Sequence, residues 1–212
     1  MTVPPKPVPF VPNTPDDTHC LQAAFMSVAK YFDPDFSIPM DEWSRLTGYE
    51  EGKGTWAYAG LAWFAQNGYE VKHFELFDFD EFMKRPKKYM IEVHGEEAGV
   101  WGYQNTNVPA EIQRMRRVLA LGLVEQHDPT IEDIQKFLDE GYLARVTLNA
   151  HRLNNEAGYV GHAVTIIGYT DSQVTLHDPG LPPMPNRQVS WETFEAAWGQ
   201  QGRELSVIRR SH

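Results

Sequence analysis

Between residues 20 and 32 the apolar positions Cys20, Leu21, Ala24, Phe25, Val28, Ala29 and Phe32 return at steps of three and four. That spacing describes one face of a helix turned to a core. Asp16, Asp17 and Thr18 stand just ahead as candidate N-caps, and Pro34 ends the segment because proline cannot continue the hydrogen-bond ladder. A short helix is predicted over 39–46, closed by Gly48. A stronger one is predicted over 56–66, capped by Thr55, stopped by Gly68, and carrying Trp56, Ala59, Gly60, Trp63 and Phe64 on one side. Residues 69–76 alternate as a strand does. Helix is predicted over 78–101 with a break at Pro86, and again over 109–121 and 129–138, with a short strand at 123–126. From residue 142 the period changes. Residues 142–148, 160–169, 173–177 and 205–209 read as strands, and one helix, 191–198 behind Ser190, precedes the last of them. Helices fill the first two thirds and strands the last third, which predicts an α+β fold. No internal repeat and no second domain boundary stands out, so residues 1–212 read as one domain. The segment 78–122 is a candidate helical insertion, and residues 1–12, with prolines at 4, 5, 7, 9 and 12, form an extended arm.

The first helix carries the chain's single cysteine in its first turn. A thiol there meets unpaired backbone N–H groups and the positive end of the helix dipole, which favour thiolate. Asp16 and Asp17 would oppose that unless they point away. Taken alone, Cys20 favours the reading of a small buried hydrophobe, which free cysteines usually are. The strands 160–169 and 173–177 flank a short polar turn and form an antiparallel hairpin. If the turn centres on Asp171, Asp178 falls opposite Val164, on the sheet face that also carries His162. An odd register would send the two side chains to opposite faces. In the even register a carboxylate stands beside an imidazole on a rigid sheet, the arrangement that orients a general base. A thiol at a helix start, a histidine and an aspartate then make an activated-nucleophile set. His177 points to the other face and reads as structural or exposed.

Composition narrows the chemistry. Nineteen basic against 29 acidic residues give a net charge of −10, which argues against a nucleic-acid surface. One cysteine excludes a disulfide framework and a Cys-rich metal site, and the histidines show no ligand spacing, so no metal or other cofactor is expected. No apolar run approaches membrane-spanning length, and the proline-rich start lacks the apolar stretch of a signal peptide. The expectation is a soluble cytoplasmic protein without a membrane partner.

The segments Thr18-His19-Cys20-Leu21-Gln22-Ala23, Gly158-Tyr159-Val160-Gly161-His162-Ala163-Val164 and Leu176-His177-Asp178-Pro179-Gly180-Leu181-Pro182 together resemble the bacteriocin-processing-peptidase-like branch of the papain-like cysteine peptidases. The helix around Phe194 and Trp198 is similar to that branch as well. About 140 residues separate Cys20 from His162, within the roughly 130–150 of papain-like enzymes. The resemblance implies a papain-like fold, in which a helix bearing the thiol packs on an antiparallel sheet bearing His and Asp. It implies Cys20 as nucleophile, His162 as base and acid, and Asp178 as orienting carboxylate, acting on amide bonds of a peptide or protein substrate. Two positions depart from the family pattern. Thr14 stands where an oxyanion-holding glutamine is usual, with Asn13 the nearest amide and Gln22 a weaker stand-in, and Leu21 replaces a glycine after the cysteine. Gly161, Trp56 and Trp191 are the candidate substrate contacts, though a core role for the tryptophans is equally open, and residues 149–159 read as a mobile lip over the cleft. An acyltransferase, or an inactive peptide-binding module on the same scaffold, are the rival readings.

Overall fold

Helix α1 (Cys20–Phe32) forms over the predicted residues and lies at the centre of the first core. In the computed structural model, which describes residue 4, residues 6–199 and residues 202–211, nearly every α1 side chain is buried. Its start differs from expectation. None of Asp16, Asp17 or Thr18 caps it. His19 occupies the cap position and gives its own N–H to Oδ1 of Asn13 at 2.8 Å. The reason is local: Asp17 takes a left-handed turn, its carboxylate accepts from Nδ2 of Asn13 at 2.7 Å, and Asp16 accepts from Oγ1 of Thr14.

Helix α2 (Met40–Leu46) follows, and then α3 (Tyr58–Gln66), which starts two residues later than the pattern predicted. Thr55 does not cap α3, because the chain before it turns Trp56 into a ring cluster with Phe77 and Phe82. Strand β1 (Tyr69–Glu75) leads into α4 (Phe79–Lys84), α5 (Pro86–His94), α6 (Glu96–Gln104) and α7 (Val108–Ala120), then β2 (Val124–Gln126). Pro86 breaks the run as predicted and opens α5 from its first turn, where its missing N–H leaves no bond unmade. β1 and β2 pair parallel, a departure from the all-antiparallel sheet expected. Parallel neighbours cannot be joined by a hairpin, so the helical segment between them forms the crossover.

The rest of the chain runs α8 (Ile131–Asp139), β3 (Leu143–Asn149), α9 (Ala150–Leu153), β4 (Gly161–Tyr169), β5 (Gln173–Asp178), β6 (Met184–Ser190), α10 (Trp191–Trp198) and β7 (Glu204–Arg210). Among the described residues the strands form one sheet in the order β2-β1-β7-β3-β4-β5-β6, antiparallel apart from the β1–β2 edge. β6 was not predicted. Its Pro185, Asn186, Arg187 and Gln188 give no apolar alternation, and an edge strand with a single neighbour does not need one.

Helices cover both faces of the sheet. Ala163 and Ile167 of β4 join the core around α1 and α3, while Val164 and Ile166 join the one around α8 and α10. Of the expected proline-rich arm, residues 1–3 and 5 lie outside the described residues. The remainder is strapped down: Val8 and Val11 are buried, the Val8 carbonyl accepts from Nε2 of His177 at 2.9 Å, and the Val11 N–H donates to Oγ of Ser27 at 3.1 Å. His177 is thus a buried tether on the α1 side.

The β4–β5 register decides where the site residues fall. Next to the turn the pairs are Tyr169 with Val174 and Gly168 with Thr175. Beyond an irregularity at Ile167 they become Ile166 with Leu176 and Thr165 with His177. Continued from the turn without that shift, the pairing would set Asp178 opposite Thr165, on the wrong face. The bulge restores the even register and sets Asp178 toward His162.

Candidate active site

Three elements end at one place. Helix α1 begins there with Cys20, which is half-buried. Strand β4 begins there with Gly161 and His162, and β5 ends there with Asp178. Nε2 of His162 lies 2.7 Å from Oδ1 of Asp178. Cys20 and the same imidazole lie near enough to act on one another's ionisation, and with Nε2 engaged by Asp178 the ring nitrogen open to the thiol is Nδ1. The backbone N–H of Ala163 also favours the thiolate.

Burial pushes the Cys20 thiol up, but the hydrogen bond and charge of His162, the Ala163 N–H and the more distant Arg145 outweigh it, so its pKa is lowered. For His162 burial acts against the charged form, yet Asp178 and Cys20 together carry it to about 10. Burial would raise Asp178 as well. It is held low by His162, by Nη1 of Arg187 at 2.8 Å and by the Gly180 N–H at 3.0 Å. Arg187 also donates through Nη2 to the Leu153 carbonyl at 3.1 Å and to Oδ1 of Asn154 at 2.8 Å. These directions are those of a thiolate–imidazolium pair backed by an ionised carboxylate.

Arg187, bonded to Asp178, is the neighbour of the His162–Asp178 pair that sequence reasoning missed. Its only signal was a basic residue a few positions after the aspartate, in a stretch with no strand pattern. Asn13 and Thr14 lie in the loop that sets the start of α1. Nδ2 of Asn13 donates to Asp17, and its Oδ1 accepts the N–H of Thr14 and of His19. Oγ1 of Thr14 bonds Asp16 and, at 2.8 Å, Nδ1 of His19. Gln22 is fully buried, with neither end of its amide partnered among the described residues. Trp56 packs against Tyr58, Phe77 and Phe82, and Trp191 against Tyr169 and Phe194 with its Nε1 on the Thr170 carbonyl. Neither tryptophan lines the cleft of about 450 Å³ that opens beside His162 and Asp178. The segment expected as a lip contains α9 and is closed on itself by Asn149, whose Nδ2 donates to the Gly158 carbonyl at 2.8 Å and whose Oδ1 accepts the Val160 N–H. Among the described residues no group of three or more His, Cys, Asp or Glu is placed to hold a metal ion.

The model of the Peptidase_C39 like family matches residues 92–206, more than half of the chain. The chain belongs to that family. The matched span runs from within α5 into β7 and includes His162 and Asp178, while Cys20 precedes it. Membership implies a cysteine hydrolase in general terms. No curated protein sequence matches the chain. Among solved structures, the peptidase domain of Streptococcus ComA, a bi-functional ABC transporter involved in a quorum-sensing pathway, aligns with a TM-score of 0.53 at 14% identity, covering 97% of this chain and 100% of its own. A double glycine motif protease from an AMS/PCAT transporter, in complex with the leader peptide, aligns at 0.52 and 10% identity over 100% and 99%. A C39-like peptidase structure from Bacillus anthracis aligns at 0.51 and 17% identity over the whole of both chains. At these identities the likeness establishes the fold: a mixed α+β architecture in which the cysteine-bearing helix packs against the sheet, as in papain-like C39 folds. Among the described residues no helix is long and apolar enough to cross a membrane.

Proposed function

We propose that the protein is a cysteine peptidase of the bacteriocin-processing kind, acting in the cytoplasm on a peptide or protein, with Cys20, His162 and Asp178 as its triad. The observation that carries this reading is the His162–Asp178 pair at 2.7 Å, set beside the lone thiol at a helix N-terminus and bordering an open cleft. His162 takes the thiol proton on Nδ1, and the thiolate attacks the carbonyl carbon of the substrate. The backbone N–H of Cys20 holds the oxyanion, helped by Asn13 or Thr14. The imidazolium then protonates the departing amine, and water, deprotonated by His162, clears the thioester. Asp178 keeps the ring in the required tautomer. A neighbour with the same fold is a double glycine motif protease bound to a leader peptide, which makes such a peptide the first substrate to try.

The test reads the thiol itself. Cys20 is the sole cysteine, so alkylation by iodoacetamide reports one site. Its lowered pKa means that thiolate persists at lower pH, so alkylation should titrate well below about 8.5. His162→Ala removes the main lowering influence and leaves burial, which raises, opposed by the smaller effects of the Ala163 N–H and Arg145. The titration should then move up, and the rate at pH 6.5 should fall by about tenfold or more. An ordinary thiol profile, unmoved by the substitution, would favour the inert binding module.

A further inference from the structure

The cleft of about 450 Å³ is lined by His162 and Asp178 but not by Cys20. That asymmetry assigns it to one side of the reaction. In thiol-catalysed amide cleavage the acyl part of the substrate ends on the sulfur, and the imidazolium hands its proton to the departing nitrogen. Residues attached to that nitrogen therefore lie beyond the imidazole, where the cleft opens.

The walls of the cleft have a definite charge. Asp17 faces it from the turn before α1, and Glu156 from the segment after α9. Asp17 accepts from the neutral amide of Asn13, so its charge is not cancelled. Glu156 is exposed and in no ion pair among the described residues. The third carboxylate, Asp178, is matched by Arg187 and His162. Among the described residues no lysine or arginine lines the cleft, and besides His162 and the three carboxylates the titratable wall residue is His151. Alongside the acids and other polar groups the lining includes the apolar Val160, Leu181 and Met184, with Val160 and Leu181 about half exposed. A hydrocarbon stem over apolar side chains with a cationic head between two carboxylates is the way arginine and lysine are held.

Resting on the peptidase reading, we propose that this cleft binds the leaving-group side of the substrate and selects a basic residue there. Asp17 and Glu156 are the specificity determinants and His162 forms the inner wall.

Acyl transfer tests the cleft without knowledge of the natural substrate. N-acetylglycine p-nitrophenyl ester acylates the thiol and releases nitrophenolate. The α-amides of arginine, glutamine and glutamate then compete with water. In each capture the amine lone pair attacks the thioester carbonyl, its proton passes to His162, the C–S bond breaks and the Cys20 thiolate returns. This is leaving-group departure in reverse, so the amine occupies the same cleft. Argininamide should capture the acyl group about tenfold better than the glutamate amide, with glutamine between, and the ratio should shrink as salt is raised. Glu156→Lys should bring the ratio near one or invert it. The ratio is internal to each variant, so a change in turnover does not enter it. If the ester is not turned over, or Cys20→Ala turns it over equally well, the peptidase reading itself falls. If Cys20 turns it over but the three amides capture equally, none captures, or the arginine preference survives Glu156→Lys, the cleft assignment is overturned while the peptidase stands.

Discussion

Two imidazoles in this protein sit in the same order of contacts, one at the end of the sheet and one in its middle. His162 has a thiol on one side and Oδ1 of Asp178 on the other. His73 of β1 has Oγ of Ser206 at 2.9 Å from Nδ1 and Oε1 of Glu75 at 3.0 Å from Nε2. Listed by atoms, both are a nucleophile, a base and an acid group. What separates them is position. Ser206 and His73 are wholly enclosed, and Oη of Tyr58 closes over Glu75 at 2.9 Å. Ser206 is mid-strand, where backbone N–H groups are committed to the ladder, so no donors remain for an oxyanion. Cys20 opens a helix, whose first N–H groups have no partner within it. Hydrogen-bonded hydroxyl–imidazole–carboxylate lines are also simply how buried polar groups satisfy one another. On the proposed reading, access and free donors, not connectivity, mark the reactive one.

The largest effects should break that comparison most cleanly. Cys20→Ala should lower amide cleavage by at least about 10³-fold, measured on a leader-type peptide. Ser206→Ala should leave cleavage within about twofold and lower the melting temperature instead, because His73 loses a buried partner at a cost of about 1–3 kcal/mol. The opposite pattern would move the active site to the middle of the sheet. Next in size, Asp178→Asn should reduce kcat by roughly 10²–10⁴-fold by favouring the wrong tautomer. Glu75→Gln should register in urea denaturation and leave kcat unchanged.

How much of this was legible in the sequence follows the same division between local and long-range order. α1 and α10 have the predicted ends, because periodicity, Pro34 and Ser190 are local signals. The placing of Asp178 beside His162 was reachable only because the β4–β5 turn is short enough to count across. Even so, the assumed turn centre gave the register that holds at Thr165 and His177 for a reason no count includes, the bulge at Ile167. The N-cap expectation failed where Asn13 reached across six residues to His19, a loop contact that composition does not announce. β6 was invisible because an edge strand of polar residues has no alternation to read, and Arg187 was lost with it. The Ser206–His73 line joins β1 to β7, more than 130 residues apart, and no spacing rule connects them.

The smallest of the expected effects sharpens the comparison by asking what Arg187 adds to Asp178, set against Glu75 with its bonds to Tyr58 and His73. In the proposed mechanism Arg187, bonded to Asp178, acts on the reaction through it as a positioning residue. Arg187→Met keeps volume and removes the cation, so burial of Asp178 is opposed by less and its carboxyl pKa rises. The sign follows from the wild-type direction. Asp178 is depressed below its ordinary 3.8, so it stays ionised in the folded protein until pH falls through that lowered value. Raising its pKa brings the loss to higher pH, and the acid limb of the kcat profile should move up. At pH 7 kcat should fall by roughly tenfold, in line with measured losses on removing groups that orient a site from behind. Arg187→Lys should recover the position of the acid limb more than it recovers kcat, since an ammonium restores the charge without the fork that also ties Leu153 and Asn154. A residue that served only the fold would lower the melting temperature in both variants and leave the acid limb where it was.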